Sequence, residues 1–137
     1  MSQCIEWRHD GRRIVLPVLI LPPEPTTDLT GFEAQALVDT GSTTSAVTPR
    51  VAKALGLRKM GKRPLGSAQG LGQAERYLFR IGVRSPVAGL AFPYLFDEVS
   101  GFELSDSFQL DALIGMDILR QCDFRMQRNG DCTLSLG

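Results

Sequence analysis

The chain has 137 residues, 43% of them hydrophobic, and its 15 Lys plus Arg balance its 15 Asp plus Glu. That length suits a single domain over residues 1–137, long enough to bury a core and too short for two ordinary ones, and zero formal charge excludes a basic nucleic-acid footprint. No apolar run approaches the roughly 18 residues of a spanning helix, and the start "MSQCIEWRHDGRR" lacks the basic-then-apolar order of a signal peptide. No direct membrane insertion and a soluble, cytoplasmic protein are therefore expected. Cys4, Cys122 and Cys132 are odd in number and show no CxxC spacing, which predicts reduced thiols rather than a disulfide framework or a zinc site.

Strand chemistry dominates from the N-terminal side. "RRIVLPVLI" (12–20) is an apolar run whose Pro17 predicts an edge or a bulge, because proline has no N–H to give to a ladder. "LPPEPTTDLTG" (21–31) reads as a stiff surface connector rather than a proline-rich ligand for another protein. In "FEAQALVD" (32–39), Phe32, Ala34 and Ala36 alternate with Glu33 and Gln35 before Leu37 and Val38 join into an apolar pair. Such a strand starts half exposed and ends buried, with Asp39 at its inner end. After a polar row, Thr48 and Pro49 have N-cap and first-turn chemistry, Val51 and Leu55 share a face, and Gly56 can close a short helix over 49–55.

"KRPLGSAQGLGQAERYLFRIGV" (62–83) predicts a hairpin with a glycine-rich tip around Gly66, Gly70 and Gly72 and a return strand from about Glu75 to Val83. Residues 84–109 supply another apolar strand within "GLAFPYLFDEV", then a looser stretch with Ser100, Gly101, Ser105, Asp106 and Ser107. "DALIGMDILRQ" (111–121) predicts a buried strand end, a glycine turn and a short helix. "CDFRMQRNGDCTLSL" closes the chain with a hairpin in which Asn129-Gly130 signals a two-residue turn. No internal repeat is present, and Asp-Thr-Gly occurs once.

The sum is a mainly β domain with two short helices, and its single Asp-Thr-Gly follows a buried strand in "ALVDTGSTTSAVTP" (36–49). Taken alone, that stretch also fits a plain turn in which Asp39 caps its own loop. The wider pattern resembles the retropepsin-like (retroviral-type) aspartic protease family. "LVDTGS" at a strand end, a helix over 49–55, a glycine-rich hairpin around 65–75 and "ALIGMDIL" before a short helix fall in that family's order. The resemblance covers about residues 12–136. It lies nearer the cellular and bacterial members, because Met116 and Asp117 follow Gly115 where the viral enzymes place arginine after the glycine. It implies a closed β-barrel of the acid-protease type with two short helices, one lobe per chain.

Peptide hydrolysis needs a base to activate water and an acid to protonate the leaving nitrogen. Two carboxylates sharing one proton supply both. At about 3 Å they repel by roughly 5 kcal/mol even at an effective dielectric of about 20, so one stays protonated over a wide pH range, as is known of aspartic proteases. With one Asp-Thr-Gly per chain, the resemblance implies that Asp39 meets Asp39 of a second copy across a two-fold axis, in a homodimer that needs no cofactor. It further implies that Thr40 bonds across the dimer, that Gly41 brings its N–H to the carboxylate, and that Ser42 hydrogen-bonds the outer oxygen of Asp39. Leu113, Ile114 and Gly115 would pack under this loop. A flap around Gly66, Gly70, Leu71 and Gly72 would close on an extended peptide or protein substrate.

Other conspicuous residues fit plainer roles. Asp117 suits the dipole of a helix start better than a metal or catalytic role, and Asp111 suits the beginning of a strand. The single histidine, His9, lies in a polar N-terminal turn with no nucleophile elbow nearby, and Trp7 and Tyr94 are packing residues. The glycines at 66–72 lack the phosphate-loop pattern. Two functions follow: an aspartic endopeptidase, or a catalytically weak or inactive peptide-binding or regulatory module on the same fold.

Overall fold

The computed structural model describes residues 3–67, 70–84 and 93–137. Two sheets form the molecule. The larger contains β2 (Val15–Leu21), β3 (Phe32–Val38), β4 (Ala46–Val47), β5 (Lys59–Ser67), β6 (Gly70–Val83), β7 (Tyr94–Glu103) and β8 (Ala112–Ile114). Its order is β2-β3-β8-β4-β7-β6-β5, and β6 also pairs with β2 through Leu19↔Gly82, Ile20↔Ile81 and Leu21↔Arg80. That last pairing closes β2, β3, β8, β4, β7 and β6 into a six-stranded barrel, with β5 added outside β6. The smaller sheet, ordered β1-β10-β9, is built from β1 (Gln3–Arg8), β9 (Cys122–Met126) and β10 (Asp131–Leu136).

The period-two alternation read from the sequence sets the core. Leu16, Val18 and Ile20 of β2, Ala34, Ala36 and Val38 of β3, and Phe79, Ile81 and Val83 of β6 are all buried, and all join one cluster with Ile114 and Ile118. Ile5, Leu134 and Leu136 close the same cluster from the smaller sheet. Pro17 is exposed and pairs only with Gln35, below the β2–β6 contact, so its missing N–H faces no second strand.

Helix α1 (Pro49–Leu55) forms where expected. The Thr48 hydroxyl accepts from Val51 N at 3.4 Å, and Gly56 ends the helix at φ 64°, the left-handed geometry glycine tolerates best. Val51 and Ala52 are buried, with Leu55 packed partly against them. The second helix, α2 (Met116–Leu119), follows Gly115.

Several elements differ from the sequence reading. "QCIEWR" forms β1 because β10 pairs along its whole length, from Gln3↔Leu136 to Arg8↔Asp131. The return strand of the hairpin begins at Gly70 rather than near Glu75, since β5 pairs with it up to Ser67↔Gly70. Residues 68 and 69 of the glycine-rich tip, and 85–92 of the following segment, lie outside the described residues. Ser100 and Gly101 are strand residues of β7, not part of a looser stretch. A Cβ at Gly101 would stand 2.6 Å from the Phe79 ring, so the ring occupies the space a side chain would need. The last hairpin uses three residues, Arg128 to Gly130. Gln127 N donates to Asp131 O at 2.8 Å, and Gly130 takes φ 103°, which adds a glycine bulge to the turn.

Three free cysteines, Cys4, Cys122 and Cys132, range from exposed to buried. Burial, assisted by the charge of Asp123, pushes the Cys122 thiol up to about 11, and burial also raises Cys132. No described helix is long and apolar enough to cross a membrane.

Arg80 carries the most unusual packing. Alternation places it on the outer face of β6, yet it is only 1% exposed because the 22–28 connector folds over it. Its guanidinium donates to the carbonyls of Pro22, Pro25, Thr26 and Asp28 at 2.7, 3.2, 3.1 and 2.8 Å. A fixed fork of donors meets a ring of loop carbonyls, and that of Pro25 also accepts from Asp28 N at 3.1 Å. Replacing Arg80 with Met is expected to lower unfolding free energy by about 2–4 kcal/mol, read as a reduced urea midpoint at unchanged slope. Arg80→Lys, which cannot reach all of these carbonyls, should fall between the two.

Candidate active site

Strand β3 runs parallel to β8, pairing Ala36↔Ala112, Leu37↔Leu113 and Val38↔Ile114. The ladder ends with Asp39 N donating to Ile114 O at 2.9 Å, which fixes the backbone of Asp39 at the mouth of two buried strands. The residue is half-buried. Its Oδ1 accepts from Gly41 N at 2.9 Å, and its carbonyl accepts from Ser42 N at 3.2 Å. Gly41 matters here through close approach: a Cβ on it would lie 3.3 Å from Asp39 Oδ1, crowding the oxygen its own N–H serves. Thr40 is exposed, and its side chain makes no hydrogen bond among the described residues.

Ser42 departs from expectation. Its hydroxyl donates to Thr44 O at 2.7 Å, so its one proton is committed within the loop and is not given to Asp39. Its carbonyl accepts from Met116 N at 2.7 Å, which ties the loop to the start of α2.

Gly115 sits where α2 crosses behind the loop. Its N–H donates to Ser45 Oγ at 3.1 Å, and a Cβ there would meet Thr44 O at 2.6 Å and Ser42 O at 2.8 Å. Asp117, in the first turn of α2, does more than face the helix dipole. Its Oδ2 accepts from Ser45 N at 3.0 Å, and its Oδ1 accepts from Ser45 Oγ at 2.7 Å and from Ile118 N at 2.9 Å. Ser45 is fully buried, and its N–H, its hydroxyl and the N–H of Gly115 all find partners in this one junction. Neither Ser45 nor the Asp117 contact was foreseen from sequence. The available signal was an acid two residues after the glycine of "LIG", which can reach back across that glycine.

Leu113 and Ile114 divide between two faces. Ile114 enters the barrel core, while Leu113 joins Ala46 and Phe102 in a second cluster that also draws on Leu37, Leu65 and Leu104. Beside Leu37 lies a cavity of about 360 Å³ lined by Arg13, Phe108 and Leu110 among others. Leu65 and Ala74 belong to the β5–β6 hairpin, so the apolar face next to Asp39 continues into that hairpin. The backbones of Gly66, Gly70, Leu71 and Gly72 pair within it, through Gly66↔Leu71, Ser67↔Gly70 and Leu65↔Gly72.

Asp111 anchors the other end of β8. It accepts from Gln35 N at 2.8 Å and pairs with Arg50 at 2.7 Å, joining β3, β8 and α1 as a strand-start residue would. His9 accepts from Gly11 N at 2.9 Å inside the N-terminal turn. Among the described residues no group of three His, Cys, Asp or Glu is placed to hold a metal ion.

Gly115→Ala is expected to cost about 1–3 kcal/mol of stability, because two carbonyl oxygens must move away. Gly72→Ala, where a Cβ meets nothing within 4 Å, should change stability by no more than about 0.5 kcal/mol. Chemical denaturation of the two variants side by side measures the difference.

A search of curated proteins gives no match to this sequence. Among solved structures, a retropepsin-like aspartic protease from Rickettsia conorii superposes with a TM-score of 0.67 at 15% identity, covering 99% of this chain and 94% of that one. The EIAV protease complexed with the inhibitor HBY-793 superposes with a TM-score of 0.54 at 17% identity, covering 83% of this chain and 91% of that one. At these identities the likeness is one of fold. The sequence itself matches the family described as "gag-polyprotein putative aspartyl protease" over residues 26–121. That match spans most of the chain and includes the Asp39 loop and the Gly115 junction behind it, and the chain belongs to this retropepsin-like aspartic protease family.

Proposed function

We propose that this chain, as one domain over residues 1–137, is an aspartic endopeptidase whose active site forms from two copies, each contributing Asp39. The observation that carries the reading is a single half-buried carboxylate held at the end of two buried strands, in a loop clamped from behind. One such group cannot act at once as base and acid. Brought against its symmetry mate, it shares one proton: the ionised carboxylate takes a proton from water, which attacks the peptide carbonyl, and the protonated one donates to the leaving nitrogen. The pair titrates as a unit, so activity falls both when it is fully protonated and when it is fully ionised.

Thr40 fits the interface in this arrangement, since its exposed hydroxyl is uncommitted among the described residues. The β5–β6 hairpin serves as the flap, closing over an extended substrate backbone. The apolar face of Leu37 and Leu113 and the cavity beside Leu37 favour an apolar substrate side chain near the scissile bond. The chemistry uses water and carboxylates and calls for no cofactor.

Purified protein incubated with a diverse peptide library across pH 4–7 tests the reading. Cleavage whose specific activity rises with protein concentration, and at least a thousandfold loss in a dimeric, folded Asp39→Asn variant, are expected. A folded, dimeric wild-type protein that cleaves nothing would instead mark a peptide-binding module. Cleavage unchanged by Asp39→Asn would refute the mechanism.

A further inference from the structure

A single row of paired residues crosses five strands on the outer face of the sheet beside Asp39. Leu37 of β3 pairs with Leu113 of β8, Leu113 with Ala46 of β4, Ala46 with Phe102 of β7, and Phe102 with Arg76 of β6. The first four members are apolar and share one cluster with Leu65, Ala74 and Leu104. The fifth is a cation. Cross-strand partners project from the same face, so the guanidinium belongs to the far end of a row that begins two residues before Asp39.

Arg76 is half-buried and held in place. Its Cζ lies 5.1 Å from the centre of the Phe102 ring, and its Nη2 donates to Ser100 Oγ at 2.5 Å and, more weakly, to Ser100 O at 3.4 Å. These contacts fix the planar group but leave its charge unopposed: among the described residues no Asp or Glu forms an ion pair with it. The nearest acids in the two strands do not serve. Glu75 precedes Arg76 on β6 and Glu103 follows Phe102 on β7, so alternation turns both to the opposite face, where the Tyr77 hydroxyl donates to Glu103. The Nε and Nη1 of Arg76 make no hydrogen bond to a described residue.

The guanidinium lies over Phe102, three strand spacings from Leu37. At about 4.8 Å per spacing that is roughly 14 Å, which an extended chain crosses in about four residues. We infer that Arg76 is a specificity-determining residue, selecting substrates with an acidic side chain about four residues from the scissile bond, while the apolar part of the row takes the side chains between. The inference rests on the endopeptidase reading proposed above and names a feature of its substrates. A carboxylate brought to this place meets a donor group already ordered by Ser100 and Phe102, so little side-chain entropy is lost on binding. Glutamine offers the same shape without the charge, and lysine is repelled. The contact lies away from the reacting atoms, so it acts on substrate binding and shows mainly in KM. With two copies facing each other, one row lies on either side of the scissile bond, and an acid on either side satisfies one of them.

The test uses the full chain and peptides that share one cleaved sequence and differ only in a Glu, Gln or Lys placed three, four or five residues from the scissile bond on each side. At the best position Glu should raise kcat/KM about tenfold over Gln and further over Lys, through KM, and the advantage should shrink as salt is added. Arg76→Gln should cleave the Glu and Gln peptides equally, and Arg76→Glu should favour the Lys peptide, a reversal that loss of packing does not produce. Circular dichroism checks that both variants are folded, and the wild-type comparison stands whether or not they are. Equal cleavage of the three peptides by wild type would overturn the inference and leave the endopeptidase standing. A Glu preference that survives in folded Arg76→Gln would overturn the assignment to Arg76, and no cleavage of any peptide by folded, dimeric wild type would overturn both.

Discussion

The approach of α2 to the loop after Asp39 is the constraint on which the rest of the site depends. Gly115 has no Cβ, and the space is filled by the carbonyl oxygens of Thr44 and Ser42. Because the backbones come this close, Met116 N reaches Ser42 O, and Asp117 reaches both the N–H and the hydroxyl of Ser45. Those bonds hold residues 42–45 against the helix. The parallel pairing of β3 with β8 then fixes Asp39 on the other side of the same turn. A carboxylate on an exposed turn would ordinarily sample several rotamers, whereas here its Oδ1 also receives Gly41 N, which leaves it little freedom.

The barrel serves this junction. Closing β6 onto β2 puts the buried side chains of Phe79, Ile81 and Val83 behind β3, so the strand carrying Asp39 is backed by the main core. The opposite face of the same strands carries the second cluster, with Leu37 and Leu113 next to Asp39 and Leu65 on the hairpin. One sheet segment therefore has a buried inner side and an apolar outer side beside Asp39. The fold and the Asp39 loop thus meet at one short helix, and a shift of α2 would be felt in both.

What was legible in the sequence was local. The alternation in "FEAQALV", the Thr48-Pro49 helix start and the Gly56 stop depend on neighbours a few residues away, and each stands where local chemistry puts it. The family order of "LVDTGS" and "ALIGMDIL" gave the fold. What escaped depends on distant partners. β1 becomes a strand because β10, from the far end of the chain, pairs with it. Gly101 reads as a breaker until the Phe79 ring is laid across it. Arg80 alternates to the outside of its strand and is buried only because a proline-rich connector folds over it. Ser42 reads as a helper for Asp39, but the turn brings the carbonyl of Thr44 within closer reach of its hydroxyl.

Mixing subunits tests the proposed two-copy site most directly. Wild-type chain at fixed concentration is titrated with excess Asp39→Asn chain, and peptide cleavage is followed after the subunits have exchanged. If each active unit needs one intact Asp39 from each of two copies, wild-type activity falls towards zero as mixed dimers with a single carboxylate replace the homodimers. If cleavage stays proportional to the wild-type chain present, one copy suffices and the two-carboxylate site is contradicted.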